Sequence, residues 1–269
     1  MAAGIAEVAA RGGVRAIIRA RSEASVASAL KQISGGLARQ VDKGKLEATE
    51  RDRILANIFT TTDLSGVADC DIIIESVVED LDTKQALFRE LDAIAKPSAI
   101  LATNTSTLAV VEMAKVTKRP DQVCGIHFFN PAAVLPLVEI VRPITASDDT
   151  IARAAAFVTA IGKEGVHVLD RAGFIVNALL FPYLNNAIRM LEDGTASMED
   201  IDTAMKGGCN FPMGPFALLD LVGLDTSLSI LETLHASFGD ANFAPRPRLR
   251  ELVAQGRLGR KTKAGFYVY

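Results

Sequence analysis

The chain has 269 residues, of which 49% are hydrophobic, and a formal net charge of −3 at pH 7. A chain of this size can bury a core and form one large or two smaller domains. The negative charge argues against a nucleic-acid-binding or membrane-surface protein, because both need a basic face that attracts phosphate groups. Any anionic ligand would have to be met by local basic residues.

The three cysteines, Cys70, Cys124 and Cys209, are widely spaced and lack the Cys/His spacing of a metal site. This usage favours a reducing, cytoplasmic location and argues against structural zinc. The longest apolar run, residues 172–184, is too short to cross a bilayer. The first residues also lack the pattern of a signal peptide. We therefore expect a cytoplasmic protein without a metal, a membrane span or a nucleic-acid partner.

Residues 1–169 alternate short β-branched runs with longer helical patterns, which is typical of βαβ units on a parallel sheet. The predicted strands cover residues 14–19, 71–76, 99–103, 123–127, 134–141 and 166–169. A polar stretch after the first strand predicts two helices with a turn at residues 42–45. This hairpin, about residues 22–57, is long for a simple crossover and indicates an inserted arm.

From residue 170 the strand-like runs stop and helical periodicity dominates. Ser197 is predicted to cap a helix whose first turn carries acids that suit the helix dipole. The predicted fold class is α/β, with a Rossmann-like parallel-sheet domain over residues 1–169. An all-α domain is predicted over residues 170–269.

His127 lies in the segment GIHFFNP, at the end of a predicted strand and before a turn fixed by Pro131. Ligands and catalytic groups of open α/β sheets gather at the carboxyl ends of the strands. Histidine is the usual proton shuttle of enzymes and also a common buried polar residue. Its position alone is therefore equally compatible with a catalytic base and with a core histidine bonded to backbone.

Glu139 is an acid within the otherwise apolar run PLVEIV. A buried carboxylate is unfavourable without a partner. If the strands that begin at residues 123 and 134 return side by side, Glu139 can hold one ring nitrogen of His127 while the other nitrogen takes a proton from substrate. The alternative, a solvent-facing Glu139 on an edge strand, is disfavoured by its apolar neighbours.

Two further polar groups have two interpretations each. Residues 103–107, TNTST, directly follow a predicted strand, and their hydroxyls can bind a ligand or cap the helix that continues through Val111. Asn177 is a single amide in an apolar helical run, where a ligand oxygen or a neighbouring domain's backbone would satisfy it. The residues alone leave both alternatives open.

The order and spacing of several segments resemble the 3-hydroxyacyl-CoA dehydrogenase family, specifically its short 3-hydroxybutyryl-CoA type. The similarity extends over almost the whole chain and is carried by residues 74–80, 104–106, 127–131, 137–139, 171–177, 212–215, 220–225 and 259–267. It implies an oxidoreductase that exchanges a hydride between a nicotinamide dinucleotide and C3 of an acyl-CoA. It also implies a homodimer formed through the helical domain.

The resemblance assigns roles to four residues in catalysis. His127 would be the general base for the 3-hydroxyl group, and Glu139 would orient it. Ser106 and Asn177 would hydrogen-bond the reacting oxygen and the thioester region.

The same resemblance assigns binding roles. It places Glu79 and Lys84 near the cofactor's ribose and phosphates and makes Asn104 a further cofactor-binding residue. Lys43, in the helical arm, matches a lysine that helps to hold coenzyme A, whose phosphates need local cations on an acidic protein.

The sequence departs from the family at its first residues. Family members begin with a strand and a GxGxMGxG turn, whereas this sequence opens at MAAGIAEVAARG, so that Met1 falls on the motif's methionine. That strand is central in the family's sheet, and the turn holds the pyrophosphate. We therefore expect a sheet without its first strand. Either the sequence starts at an internal methionine of a longer protein, or the chain lacks dehydrogenase activity.

A second departure lies in the segment VRAIIRARS at residues 14–22. NAD enzymes usually place an acid at the end of this strand, where this sequence has Ala20 followed by Arg21. These residues, with Arg19 and Ser22, would suit a 2′-phosphate, which favours NADP over NAD. The alternative is a solvated basic turn in an NAD enzyme.

Two other functions also fit the sequence. One is a dehydrogenase of a free 3-hydroxy acid, and the other is a cofactor-free acyl-CoA-binding or dimer-forming protein, which the missing strand makes possible. A CoA-specific loss of binding on Lys43→Glu would favour an acyl-CoA substrate. Calorimetry with acyl-CoA and with NAD(P)H would distinguish an enzyme from a binding protein.

Overall fold

A computed structural model describes all residues, Met1–Tyr269. The chain divides into two compact units, Met1–Asp170 and Arg171–Tyr269. The first unit combines helices with strands and the second is helical. The predicted fold class is therefore confirmed. None of the helices combines the length and the apolar character that a membrane span requires.

The first unit contains two separate sheets. Its strands are β1 (Ala16–Arg19), β2 (Ile58–Thr61), β3 (Ile72–Glu75), β4 (Ile100–Thr103), β5 (Val123–Phe128), β6 (Leu137–Arg142) and β7 (Glu164–Leu169). Strand β1 pairs with β2, and the other sheet has the order β3-β4-β5-β6-β7. All pairs are parallel except the antiparallel β5–β6 pair.

The helices of the first unit lie between these strands. They are α1 (Ala2–Arg11), α2 (Glu23–Asp42), α3 (Ala48–Ala56), α4 (Leu81–Ile94), α5 (Val110–Ala114) and α6 (Asp148–Ala160). Side-chain caps fix three of their starts, because the side chains of Ser22, Asp80 and Ser147 accept backbone N–H bonds in the first turns of α2, α4 and α6. Helices α2 and α3 occupy the polar stretch for which a helical pair was predicted.

Two strands differ most from the sequence-based prediction, while the bounds of β1 and β7 shift by two residues at their starts. Strand β2 was not predicted, because its sequence IFTT is half exposed and shows no clear alternation of apolar and polar residues. Strand β6 starts three residues later than predicted, at Leu137. Pro136 precedes it and has no N–H to donate to a strand ladder.

No strand lies between β1 and β3. Strand β1 has only β2 as a neighbour, and β3 has only β4. The expectation of a Rossmann-like sheet without one strand is therefore confirmed. Helix α1 still joins the core of this unit through buried apolar residues that include Ile5 and Val8.

The second unit packs its helices around a separate apolar core that includes Leu184, Phe216 and Leu231. Its helices are α7 (Val176–Glu192), α8 (Met198–Cys209), α9 (Pro215–Val222), α10 (Leu224–Phe238) and α11 (Pro247–Ala254). Ser197 caps α8 as predicted, because its Oγ accepts the Asp200 N–H at 3.1 Å.

Candidate active site

His127 and Glu139 form a buried pair on neighbouring strands. The antiparallel register of β5 and β6 places the two residues directly opposite each other. His127 Nδ1 lies 2.7 Å from Glu139 Oε2, and the residues are 4% and 0% exposed. Opposite residues of an antiparallel pair share one face of the sheet, so the strand pairing itself brings base and acid together.

The face that carries this pair is closely packed around Gly125. Gly125 pairs with Val141, and a Cβ at Gly125 would lie 2.7 Å from Val141 Cβ and 3.2 Å from Val110 Cγ2. Such distances leave no room for a side chain at residue 125. Gly125 therefore lets Val141 and helix α5 close over the strand that presents His127.

The second ring nitrogen of His127 faces a serine. Ser106 Oγ lies 3.2 Å from His127 Nε2, and the ring of Phe129 packs at 4.7 Å from the His127 ring centroid. In the neutral tautomer that donates Nδ1–H to Glu139, Nε2 accepts a hydrogen bond from the Ser106 hydroxyl. The three side chains thus form a line from carboxylate to imidazole to hydroxyl.

The loop that carries Ser106 is held by Glu79. The Glu79 carboxylate accepts the backbone N–H groups of Ser106 at 3.0 Å and Thr107 at 3.3 Å, together with the Thr105 hydroxyl. On the other side of the loop, Asn104 Oδ1 accepts the Phe128 N–H at 2.8 Å. Asn104 and Glu79 therefore fix Ser106 relative to β5.

The loop hydroxyls do not cap the following helix. Helix α5 begins only at Val110, and its first N–H groups, those of Val110 and Val111, donate to Asp170 at 2.8 and 2.7 Å. The capping interpretation of residues 103–107 is therefore wrong.

Asp170, which caps α5 instead, is itself partly buried. Burial raises the pKa of its carboxyl group, although the two backbone hydrogen bonds that it accepts act against this rise.

A buried lysine neutralises the carboxylates beside this loop. Lys84 is 1% exposed, and its Nζ lies 2.9 Å from Glu75 Oε1 and 3.3 Å from Glu79 Oε2. Glu75 also accepts the Thr103 hydroxyl. Burial tends to raise the pKa of Glu79, but the Thr105 hydrogen bond and the Lys84 charge outweigh it and lower that pKa. Glu79 is thus a carboxylate at neutral pH, with its side chain 39% exposed.

Sequence reasoning overlooked Glu75 and Asp170, and it included Thr103 only as one of the hydroxyl residues of the 103–107 segment. Glu75 ends the apolar strand IIIE, and Lys84 lies on the inner face of α4. Because a buried ammonium needs a carboxylate, the Lys84 position was the signal that could have identified Glu75.

The remaining predicted residues lie in other parts of the chain. Ala20 and the exposed Arg21 follow β1, and the Ala20 N–H donates to Thr61 O at 3.1 Å. Lys43 is exposed at the end of α2. Asn177 belongs to the second unit, where it is buried in the first turn of α7. The first unit thus brings together His127, Glu139, Ser106, Asn104 and Glu79.

A parallel α/β sheet that carries a buried histidine–carboxylate pair near the carboxyl end of a strand is typical of dinucleotide-binding oxidoreductases. Comparison with protein families agrees with this class. Residues 1–171 match the 3-hydroxyacyl-CoA dehydrogenase NAD binding domain, and residues 173–269 match the C-terminal domain of the same family. The chain belongs to the 3-hydroxyacyl-CoA dehydrogenase family, which confirms the resemblance.

Individual relatives are similar over the full chain. A 3-hydroxybutyryl-CoA dehydrogenase of Mycobacterium tuberculosis is 45% identical over 100% of this chain and 95% of its own length. A protein of the same name from Clostridioides difficile is 41% identical over 100% of this chain and 96% of its own. The crystal structure of (S)-3-hydroxybutyryl-CoA dehydrogenase from Ralstonia eutropha superposes with a TM-score of 0.97 at 39% identity, covering 100% of this chain and 95% of that one.

Proposed function

We propose that the protein interconverts 3-hydroxyacyl-CoA and 3-oxoacyl-CoA by hydride exchange with a nicotinamide dinucleotide, and that 3-hydroxybutyryl-CoA is its substrate. The observation that supports this most is the line of Glu139, His127 and Ser106. The names of the M. tuberculosis and C. difficile relatives support the choice of substrate. The direct test is the initial rate of acetoacetyl-CoA reduction with NADPH and with NADH. No reduction with either cofactor would refute the proposal.

His127 acts as the general base in this proposal. Its Nε2 accepts the proton of the substrate's 3-hydroxyl group, which makes loss of hydride from C3 easier. Glu139 holds Nδ1–H and stabilises the imidazolium that forms, as a buried carboxylate does in other acid–base pairs. With substrate bound, the Ser106 hydroxyl turns its proton from Nε2 to the reacting oxygen, which leaves Nε2 open to the substrate's hydroxyl. We assign Asn177 to the thioester region.

The residues at the carboxyl ends of the strands fit a dinucleotide. Glu79 offers a partly exposed carboxylate that can accept ribose hydroxyls, while the Thr105 hydrogen bond and the Lys84 charge keep that carboxylate ionised. Asn104 fixes the loop between them and His127. The chemistry that a bound nicotinamide supplies is hydride exchange with C3. Lys84 is buried between two carboxylates, so we assign it to positioning Glu79 and no longer to the cofactor's phosphates.

We propose NADP as the preferred cofactor because of the turn after β1. Arg21 is exposed there, and Ala20 stands where an acid would bind a 2′-hydroxyl. The adjacent Ser22 already caps α2, with its Oγ 3.3 Å from the Ser25 N–H. Arg21 is therefore the residue of this turn that can pair with a 2′-phosphate.

We further propose that Lys43 binds coenzyme A and that the second unit forms a homodimer. Lys43 is exposed in the helical arm, where its ammonium is available to phosphate groups.

The homodimer proposal is supported by large apolar side chains on the surface of the second unit. Among them are Leu179, Leu221 and Phe211, which are 71%, 50% and 42% exposed. The three free cysteines suit a cytoplasmic location.

A cofactor-free acyl-CoA-binding protein is the second candidate, and the separation of β1 from β3 favours it. Isothermal titration calorimetry distinguishes the two functions. Heat from acetoacetyl-CoA together with no heat from NADPH or NADH would indicate the binding protein. Heat from a dinucleotide would indicate the dehydrogenase.

A further inference from the structure

A surface cavity of about 620 Å³ lies at the end of the five-stranded sheet opposite to the candidate active site. Its lining comes from the last turns of α4, the residues that follow α4, and residues 116–122. These segments precede β4 and β5, whereas Ser106 follows β4 and His127 lies near the carboxyl end of β5. Strand β5 rises by about 13 Å from Val123 to His127. We call this separate space the amino-end cavity.

Three basic side chains line the amino-end cavity, and one of them is fully engaged in holding α4. Arg119 Nε lies 2.7 Å from Asp92 Oδ1, and the other Arg119 donors bind the carbonyl oxygens of Asp92, Ala95 and Lys96 at 2.9, 3.1 and 2.6 Å. Asp92 also accepts the Lys118 N–H at 2.8 Å. Arg119 thus closes the carboxyl end of α4 and neutralises Asp92, which is the only carboxylate of the lining.

The other two cations of the lining, Arg89 and Lys118, have no carboxylate partner. Both are exposed, and neither belongs to any ion pair of the chain. A guanidinium can bind two oxygens of a phosphate at once, and an ammonium adds a point charge beside it. Two unpaired cations at one cavity therefore suit a doubly charged anion such as a phosphate monoester.

A buried amide group adds a second polar feature to the lining. Gln122 lines the cavity, and its Oε1 is buried without a hydrogen-bond partner. Buried polar atoms of this kind are rare and call for a partner. A primary amide offers an acceptor and donors side by side, which is the pattern that pairs with the edge of adenine.

The remaining lining is apolar and suits a flat group. Ala93 and Pro97 are exposed, and Val116 is partly exposed beside them. Small-molecule sites combine an apolar surface with a few polar groups that fix orientation, in volumes of about 300–1,000 Å³. The amino-end cavity has both components and a volume in this range.

We propose that the amino-end cavity binds a nucleoside monophosphate, of which adenosine monophosphate is the best match. Arg89 and Lys118 bind the phosphate, the base packs on Pro97 and Val116, and the Gln122 amide pairs with the edge of the base. Inorganic phosphate would leave the Gln122 amide and the apolar residues unused. The site is independent of the proposed dehydrogenase activity, because it lies at the other end of the strands and its tests measure binding.

Isothermal titration calorimetry of the full chain tests the choice of ligand. The probes are adenosine monophosphate, adenosine and inorganic phosphate. We expect adenosine monophosphate to bind more tightly than either of the other two by about tenfold or more, since each of those lacks one set of contacts. Equal affinity for inorganic phosphate would indicate a simple anion site, and tighter binding of hexaglutamate would indicate an acidic protein partner. Either result would overturn the proposal, as would no binding of adenosine monophosphate.

Hydrogen–deuterium exchange locates the bound nucleotide. Adenosine monophosphate is also half of a dinucleotide, so binding at the turn after β1 has to be distinguished. We expect slower exchange in residues 89–97 and 116–122 when adenosine monophosphate is added. Protection confined to residues 16–22 would place the nucleotide at the other site and refute the proposal.

A pair of lysine variants supplies the matched control. Lys118 and Lys31 are both exposed and without an ion pair, but only Lys118 lines the cavity. Lys118→Glu should raise the dissociation constant of adenosine monophosphate by about tenfold or more, because repulsion replaces a charge-assisted contact. Lys31→Glu should leave it unchanged, with circular dichroism confirming that both variants fold. Equal dissociation constants in the two variants would contradict the proposal.

Replacing Gln122 by Leu tests the contact to the base. This variant should weaken the binding of adenosine monophosphate but not that of inorganic phosphate, because the amide pairs with the base alone. A loss for both ligands, or for neither, would remove Gln122 from base recognition and with it the nucleoside part of the proposal.

Discussion

In the proposed mechanism, only one ring nitrogen of His127 is open to the substrate's proton. Nδ1 is held by Glu139 at 2.7 Å, whereas Nε2 faces the Ser106 hydroxyl at 3.2 Å. The Ser106 hydroxyl shows that an oxygen atom can lie within hydrogen-bond distance of Nε2, as the substrate's hydroxyl would have to do to give its proton to that nitrogen. This position agrees with the role proposed for Ser106, a hydrogen bond to the reacting oxygen.

Replacing His127 by Gln should lower kcat by about a hundredfold or more, which is the usual contribution of a general base. The amide of Gln can keep hydrogen bonds to both neighbours but cannot take up a proton at neutral pH. Stopped-flow or steady-state reduction of acetoacetyl-CoA measures the effect, with circular dichroism as the check on folding. Turnover equal to that of the wild type would remove His127 from the mechanism.

Replacing Lys84 by Met should destabilise the protein by about 3–5 kcal/mol, because it leaves the buried Glu75 carboxylate without its cation. Urea unfolding measures the loss. Lys115→Met is the matched control, since Lys115 forms an exposed pair with Glu112, and such pairs contribute about 1 kcal/mol or less. Equal losses in the two variants would show that the Lys84 cluster is not a buried ion pair.

At the scale of elements, Glu79 connects the start of α4 to the loop after β4. The pKa of Glu79 is lower than its ordinary value of 4.5, because hydrogen bonds and the Lys84 charge outweigh burial. The folded protein therefore binds this proton more weakly than the unfolded chain does. The contribution of Glu79 to stability is complete above its unfolded pKa and is lost as the pH falls through the folded one.

The wild type should thus have a larger free energy of unfolding than Glu79→Gln at neutral pH. We expect that difference to be constant near neutral pH and to shrink as the pH falls below about 4.5, the ordinary pKa. Urea unfolding at several pH values measures it, with the exposed Glu90→Gln as the control. A difference that grows in acid would contradict the assigned direction of the pKa shift.

The turn after β1 makes a separate prediction about the cofactor. Arg21→Asp should lower kcat/KM for NADPH by about tenfold or more, since it removes a charge-assisted bond, and should raise kcat/KM for NADH. Arg39→Asp, which makes the same change at an exposed residue of the helical arm, should alter kcat/KM for neither cofactor. A wild-type enzyme that prefers NADH would refute the NADP assignment.

The site elements were predictable to different degrees. His127 and Glu139 were paired from sequence because an acid within an apolar strand needs a partner and a strand return offers one. The Ser106 loop was placed, but the tertiary hydrogen bonds that hold it to Glu79 were not, since they join residues 27 positions apart. Strand β2 was missed because half-exposed strands lack a clear pattern.

At the scale of the whole molecule, the net charge of the chain is negative, so the proposed binding of coenzyme A phosphates requires local cations. Lys43→Glu should raise KM for acetoacetyl-CoA by about tenfold, because a charge-assisted contact to phosphate is replaced by repulsion. KM for a substrate without the nucleotide, such as an N-acetylcysteamine thioester, should not change. Lys31→Glu, an exposed change on the same helix, is the control. Equal effects on both thioesters would exclude a role in coenzyme A binding.

The glycine at residue 125 has a consequence for the whole first unit. If β6 slipped by one residue along β5, Val141 would meet Cys124 or Ile126, and neither leaves the space that Gly125 provides. The same slip would turn Glu139 to the opposite side of the sheet from His127. Gly125, which has no side chain, thus disfavours misaligned forms in which His127 and Glu139 would lie on opposite faces of the sheet.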